Sequence, residues 1–201
     1  MIDIYLTIKG TAATDYGFVI RKFQGLTLNA WTQVFAPYIG RHTISITPVV
    51  LRPLSRGYIR LKSTDVYEYP TIEANIFDVD RDLDIMVEGM KYALRVAQTE
   101  PFQKYNVQPF ETKFPGCEGL TLNSDEYLRC QAQSYTTTFW HPSGTCKMGN
   151  TSDPTAVVDP QLKVIGVNNL RVVNASVIPA IPSANINAAV VMIAEKAADI
   201  G

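Results

Sequence analysis

The opening residues alternate apolar Ile2, Ile4, Leu6 and Ile8 with Asp3, Tyr5, Thr7 and Lys9, a period of two that predicts a half-buried β-strand. Residues 43–51 and 58–63 are rich in β-branched side chains and flank Arg52-Pro53-Leu54-Ser55-Arg56-Gly57, so they read as strand, loop and strand. In the second of these, Tyr58, Arg60 and Lys62 alternate with Ile59 and Leu61, predicting one buried and one wet face of an antiparallel sheet. The basic residues Arg52, Arg56, Arg60 and Lys62 then form a solvated face, not a binding patch.

Over 80–98 the period becomes helical, with Leu83, Val87, Met90, Leu94 and Ala97 on one stripe. Asp80, Asp82 and Asp84 open this helix and Lys91 and Arg95 come later, the order that complements the helix dipole; Pro101 follows the stop. A second helix is expected from Asn123 or Ser124, where Asn123 and Glu126 have capping-box spacing, through Tyr127 and Cys130. Residues 162–165 and 170–173 flank Gly166-Val167-Asn168-Asn169 and predict a hairpin or strand pair. A last helix spans about 187–199, with Asn185 and Asn187 both placed to cap it. Because the chain opens directly in a strand, it reads as part of a longer protein.

With 46% hydrophobic and 18% charged residues among 201, the chain has a globular composition with room for one or two domains. The balance of 18 Lys+Arg against 19 Asp+Glu lacks the electrostatic footprint of a nucleic-acid or anionic-lipid binder. The longest apolar run, 188–194, is stopped by Glu195 and Lys196, well short of the ~20 residues of a membrane span. Three cysteines, Cys117, Cys130 and Cys146, contain no C-x-x-C pair, so no metal site is expected. Cys117 and Cys130 are either a disulfide of a secreted protein or two buried thiols, which leaves the compartment open.

The stretch TTTFWHPSGTCKMG, from Thr136, gathers aromatic, imidazole, proline, glycine and thiol groups in an extended segment. Of the two histidines, His42 merely precedes a strand, whereas His141 lies before Pro142, which biases its backbone to an extended, defined setting. The sequence lacks a G-x-S-x-G elbow and any phosphate-binding loop of G-x-G-x-x-G or Walker type. Two glycosylation sequons occur: Asn150-Thr151-Ser152 in a loop, the acceptor if the chain is secreted, and Asn174-Ala175-Ser176 at what reads as a buried, inaccessible strand end.

Four blocks in order, PVVLRPLSRGYIRLKSTDVYEYPTIEANIF, DRDLDIMVEGMKYA, WHPSGTCKMG and AVVDPQLKVIGVNNLRVVNASVIPAIPSANINAAVVMIAEKAADI, make the sequence similar to the glucose-methanol-choline (GMC) flavin oxidoreductases, most of all their insect glucose-dehydrogenase-like branch. The resemblance implies an α+β fold: an antiparallel sheet packed with helices in a substrate-binding portion, 1–140, then the catalytic loop and C-terminal strand-helix segment of a GR2-type FAD-binding domain, 141–201. It implies oxidation of the CH–OH group of a small-molecule alcohol or sugar, with hydride passing to the N5 of FAD and His141 as base. It places Asn185 opposite, where a carboxamide orients the substrate oxygen but cannot take a proton at neutral pH. Asn187 and Ala188 at the helix start, and Asn174 and Ala175, are implied cofactor contacts. The block LRVVNAS resembles the family's LRVVDAS; Asn174 for the acid removes a charge-assisted bond at a cost of ~1–2 kcal/mol in cofactor affinity. The missing ADP-binding loop implies a partner, the N-terminal FAD-binding half of the same enzyme, and the branch suggests secretion. A flavin-bearing lyase and a truncated, non-catalytic binding module are the competing expectations.

Overall fold

A computed structural model of the chain describes residues 4–10 and 16–200; Ile2 and Asp3 of the expected first strand lie outside the described residues. The chain divides into two compact units, one formed by 1–50 and 77–137, the other by 51–76 and 138–201. Segment 51–76 therefore goes with the C-terminal residues, whereas the sequence reading kept it with the first 140.

In the first unit, β1 (Ile4–Lys9) pairs antiparallel with β2 (Ser45–Val50), Ile4 facing Val50 and Lys9 facing Ser45. The long helix α3 (Asp80–Ala97), numbered after α1 (Phe18–Gln24) and α2 (Leu28–Val34), lies on this ribbon. A Cβ at Gly89 would stand 2.9 Å from Pro48 Cβ and 3.0 Å from Ile4 Cδ1, so glycine lets helix and ribbon approach. The expected stripe is realised: Leu83, Val87 and Ala97 are buried, Asp80 and Asp82 stand in the first turn and Arg95 in the last. Asp82 is itself buried, so the acidic run is more than a solvated cap.

A one-turn helix α4 (Glu100–Gln103) follows, and then α5 (Asp125–Ser134). The cap of α5 is Ser124, whose hydroxyl accepts from Tyr127 N at 3.2 Å; Asn123 stands one residue outside it at φ 61°. Trp31, Val34, Phe35, Leu83, Val87, Phe114, Tyr127 and Leu128 share one core with Cys117, which is disulfide-bonded to Cys130. Helices α1, α2 and α4, at 7, 7 and 4 residues, are too short to show a period and were absent from the sequence reading.

In the second unit, β3 (Tyr58–Arg60) pairs antiparallel with β4 (Thr71–Glu73), not with residues 43–51. Every residue of both strands is exposed, which corrects the expected buried face. A Cβ at Gly57 would fall 2.1 Å from Glu73 O, so the two segments meet only because that position is glycine. The predicted pair 162–165 and 170–173 shrinks to one antiparallel bridge, Lys163 with Arg171, flanked by Val164 N to Leu170 O at 2.9 Å and Val172 N to Leu162 O at 3.1 Å. Helix α6 (Asn187–Ile200) packs Ala197 into a core with Val158, Leu162 and Val177, and Arg171 donates to Ile200 O at 2.9 Å at its C-terminal end. The architecture is thus α+β with short antiparallel sheets.

Candidate active site

All six expected site residues fall in the second unit. Trp140 takes the left-handed conformation at φ 57°, unusual for a bulky side chain, and its N–H donates to Thr138 Oγ1 at 3.1 Å. This bend delivers His141, half-buried, with its ring edge-on to Phe139 at 5.6 Å and 75°. Gly144 then turns at φ 83°, where a Cβ would lie 3.2 Å from Ile178 O.

From that turn the loop is fastened to the segment that follows Asn174. Gly144 N donates to Ala175 O at 3.3 Å, Cys146 N to Ser176 O at 2.9 Å and Met148 N to Val177 O at 2.9 Å. The structure therefore brings the histidine loop alongside two of the expected cofactor residues, although they lie more than thirty positions away in sequence. Asn174 is extended and exposed, which corrects the buried strand end of the sequence reading. Its Oδ1 accepts from Ser176 N at 2.9 Å and Ser176 Oγ at 2.6 Å, capping the 3-10 turn Ala175–Val177 and leaving Nδ2 as a donor.

At the other end of the site, Ile186 is buried and its carbonyl accepts from Val190 N at 2.9 Å, so Ile186 holds the cap position of α6. Neither Asn185 nor Asn187 caps the helix as expected: both are exposed, and among the described residues their carboxamides make no hydrogen bond. Ala188 is exposed beside them, and the first-turn N–H groups carry the positive end of a fourteen-residue helix. Among the described residues no hydrogen bond joins His141 to Asn185; the fold gives each its own support.

The bend before Asn185 is anchored by Arg52, which the alternation had placed on a solvated face. Arg52 Nε donates to Ser183 Oγ at 2.8 Å. Its basic neighbours are also committed individually: Arg56 returns to Pro53 O at 2.6 Å, Arg60 covers the Tyr58 ring at 4.4 Å and Lys62 pairs with Glu68 at 2.8 Å. The signal for Arg52 was present only in its strand-end position, which three similar charges in the next ten residues obscured. His42 is exposed in the loop before β2. Among the described residues no group of three or more His, Cys, Asp or Glu is placed to hold a metal ion, and no helix is long and apolar enough to cross a membrane.

Residues 53–194 match the GMC oxidoreductase family, and the chain is a member of it. It is 44% identical over 155 residues to glucose dehydrogenase [FAD, quinone] of Drosophila pseudoobscura pseudoobscura, covering 77% of this chain and 25% of that protein. It is 43% identical over 152 residues to mitochondrial choline dehydrogenase of Mus musculus, covering 75% and 24%. Among solved structures, a formate oxidase of Aspergillus oryzae RIB40, studied for its FAD modification, superposes with a TM-score of 0.67 at 32% identity over 85% of this chain and 29% of that one. The chain thus spans about a quarter of the length of these curated relatives.

FAD is the cofactor of the family, and the residues present fit part of it. Uncapped N–H groups at the start of α6, with the unpaired carboxamide of Asn187, suit a polar, electron-accepting ring edge, and the free Nδ2 of Asn174 suits a phosphate or ribityl oxygen. The G-x-G-x-x-G motif that grips the ADP half in dinucleotide-binding folds does not occur in the sequence.

Proposed function

We propose that this chain supplies the catalytic C-terminal part of an FAD-dependent oxidoreductase that converts the CH–OH group of an alcohol or sugar to a carbonyl. The observation that carries the reading is the run of three backbone hydrogen bonds from 144–148 to 175–177, which supports His141 and Asn174 on one frame whose core also seats α6. His141 removes the hydroxyl proton onto a ring nitrogen, and Asn185 holds the substrate oxygen through its amide. Bound FAD supplies the two-electron acceptor for the carbinol hydride. Asn187 and Ala188, at the positive end of the helix, would hold the ring, and Asn174 and Ala175 would hold the chain that leads to the phosphates. The ADP half is held by an N-terminal FAD-binding part of the same enzyme, with residues of 1–140 contributing to the substrate-binding portion.

The test is the visible spectrum of the longer polypeptide carrying this segment, mixed anaerobically with a panel of alcohols and sugars. Bleaching of the flavin bands is expected. A yellow protein that no alcohol bleaches would point to a lyase, and a folded, colourless protein that takes up no added FAD would point to a non-catalytic module.

A further inference from the structure

The second unit carries two N-x-Ser sequons with the same local geometry and different surroundings. In each, the serine hydroxyl donates back to the asparagine carboxamide: Ser152 Oγ to Asn150 Oδ1 at 3.1 Å, and Ser176 Oγ to Asn174 Oδ1 at 2.6 Å. Donation to Oδ1 draws the nitrogen lone pair towards the carbonyl and so acidifies Nδ2–H, easing the proton loss that makes Nδ2 a nucleophile in glycosyl transfer to asparagine.

The two sites differ in what lies around them. Asn150, Thr151 and Ser152 are all exposed on a turn that builds its own support. Asp153 N donates to Asn150 O at 2.8 Å, Thr155 N donates to Asp153 Oδ1 at 2.8 Å, and Lys147 Nζ meets Asp153 Oδ2 at 2.8 Å. A bulky solvated group on Asn150 displaces none of these contacts. At Asn174, by contrast, the next three carbonyls are tied to 144–148, and the segment runs directly into Val177, at 0% exposure the centre of the core.

The first unit supplies a second, independent observation. The Cys117–Cys130 disulfide lies in its core, with Cys117 at 0% exposure, and such cross-links persist in the oxidising compartments through which secreted proteins pass. Those compartments are also where asparagine-linked oligosaccharides are attached.

We propose that Asn150 is an N-glycosylation site of a chain that folds in the secretory pathway, and that Asn174 stays unmodified. The donor class is an N-acetylglucosamine-headed oligosaccharide on a polyprenyl diphosphate. Asn150 Nδ2 loses one proton and forms a bond to the anomeric carbon of the sugar, while the bond from that carbon to the phosphate oxygen breaks; the diphosphate leaves with the electron pair and accepts the proton. No redox change occurs, and the reading is independent of any flavin chemistry.

The experiment is secretion of the longer polypeptide carrying this chain from a eukaryotic host, followed by treatment with a peptide N-glycosidase and peptide mass mapping with and without prior reduction. The expected result is a single-step loss of mass on this segment, deamidation marked at residue 150 and not at 174, and a Cys117–Cys130 cross-linked peptide. Asn150→Gln and Ser152→Ala, which remove the acceptor and the hydroxyl separately, each abolish the shift; Ser152→Thr and Asn174→Gln keep it. An unmodified Asn150 in the secreted protein, modification at Asn174 in its place, or a shift that survives both Asn150→Gln and Ser152→Ala would overturn the proposal.

Discussion

Arg52 Nε lies 2.8 Å from Ser183 Oγ, which fastens a residue just past β2 in sequence to the bend that presents Asn185. The bend Pro182-Ser183-Ala184-Asn185 has no regular backbone pairing of its own, so a charged donor on Ser183 restricts where the carboxamide of Asn185 can point. Arg52→Ala in the assembled flavoenzyme should slow flavin reduction by about tenfold, the effect of ~1.4 kcal/mol on a barrier, with the resting flavin spectrum unchanged. Ser183→Ala should do the same, and the double variant should be no worse than either single one, because both remove the same bond. Additive losses in rapid-mixing measurements would separate the two residues.

His141→Ala should lower the rate of flavin reduction by on the order of 10²-fold while leaving FAD content unchanged, since the imidazole is assigned to the proton and not to cofactor retention. The edge-on ring of Phe139 holds the imidazole in place, so Phe139→Leu should give an intermediate loss. Stopped-flow traces with one alcohol across the series are the check. A change of less than a few-fold for His141→Ala would reduce His141 to a structural role.

The disulfide between Cys117 and Cys130 closes a loop of 13 residues and lies in the core with Phe114, Tyr127 and Leu128. Cys117→Ala with Cys130→Ala should destabilise the first unit by ~2–4 kcal/mol, through the loosened unfolded chain and the lost packing at Cys117. Urea unfolding followed by tryptophan fluorescence reads this through Trp31, which belongs to the same core. An unchanged midpoint would mean that the bond adds nothing to the helix α5 contacts.

Tyr135 stacks on Phe114 with ring centroids 5.0 Å apart and meets Phe35 edge-on at 6.0 Å; burial pushes its hydroxyl up to about 12. The folded chain therefore holds this proton at a pH where the unfolded chain, with an ordinary tyrosine near 10, has released it. The contribution to stability is complete below pH 10 and is lost as pH rises through about 12. Alkaline unfolding followed by tyrosinate absorbance should show a late, cooperative ionisation that Tyr135→Phe diminishes, Tyr127, also raised by burial, supplying the remainder, and the variant should hold its structure to higher pH.

Several local features were legible because short-range physics sets them. The apolar stripe of α3, its acidic first turn, the position of α5 and the extent of α6 follow from spacing within a few residues, and the structure reproduces them to within one or two positions. Departures came where a distant partner, a local turn or burial outweighed the pattern. Residues 58–60 found β4 and no covering layer, so their alternation did not produce a buried face. Ser124 outcompeted Asn123 for the cap of α5 because Asn123 was drawn into a left-handed turn. Ile186, an apolar residue, took the cap position of α6 because burying its side chain in the core outweighed satisfying one more N–H, and this left Asn185 and Asn187 uncommitted.

The amino-acid order by itself determined the family and the helices that carry their own period, and it singled out His141 and Asn185 as candidates. Only the folded chain decided that the loop of 144–148 lies on 175–177, that Arg52 reaches Ser183, that Cys117 joins Cys130 and that Asn174 faces solvent. The division has one physical cause. Helical stripes and caps are satisfied by partners three or four residues away, whereas these pairings join groups 13 to 131 positions apart, selected by which backbone and side-chain donors the packed cores bring within reach.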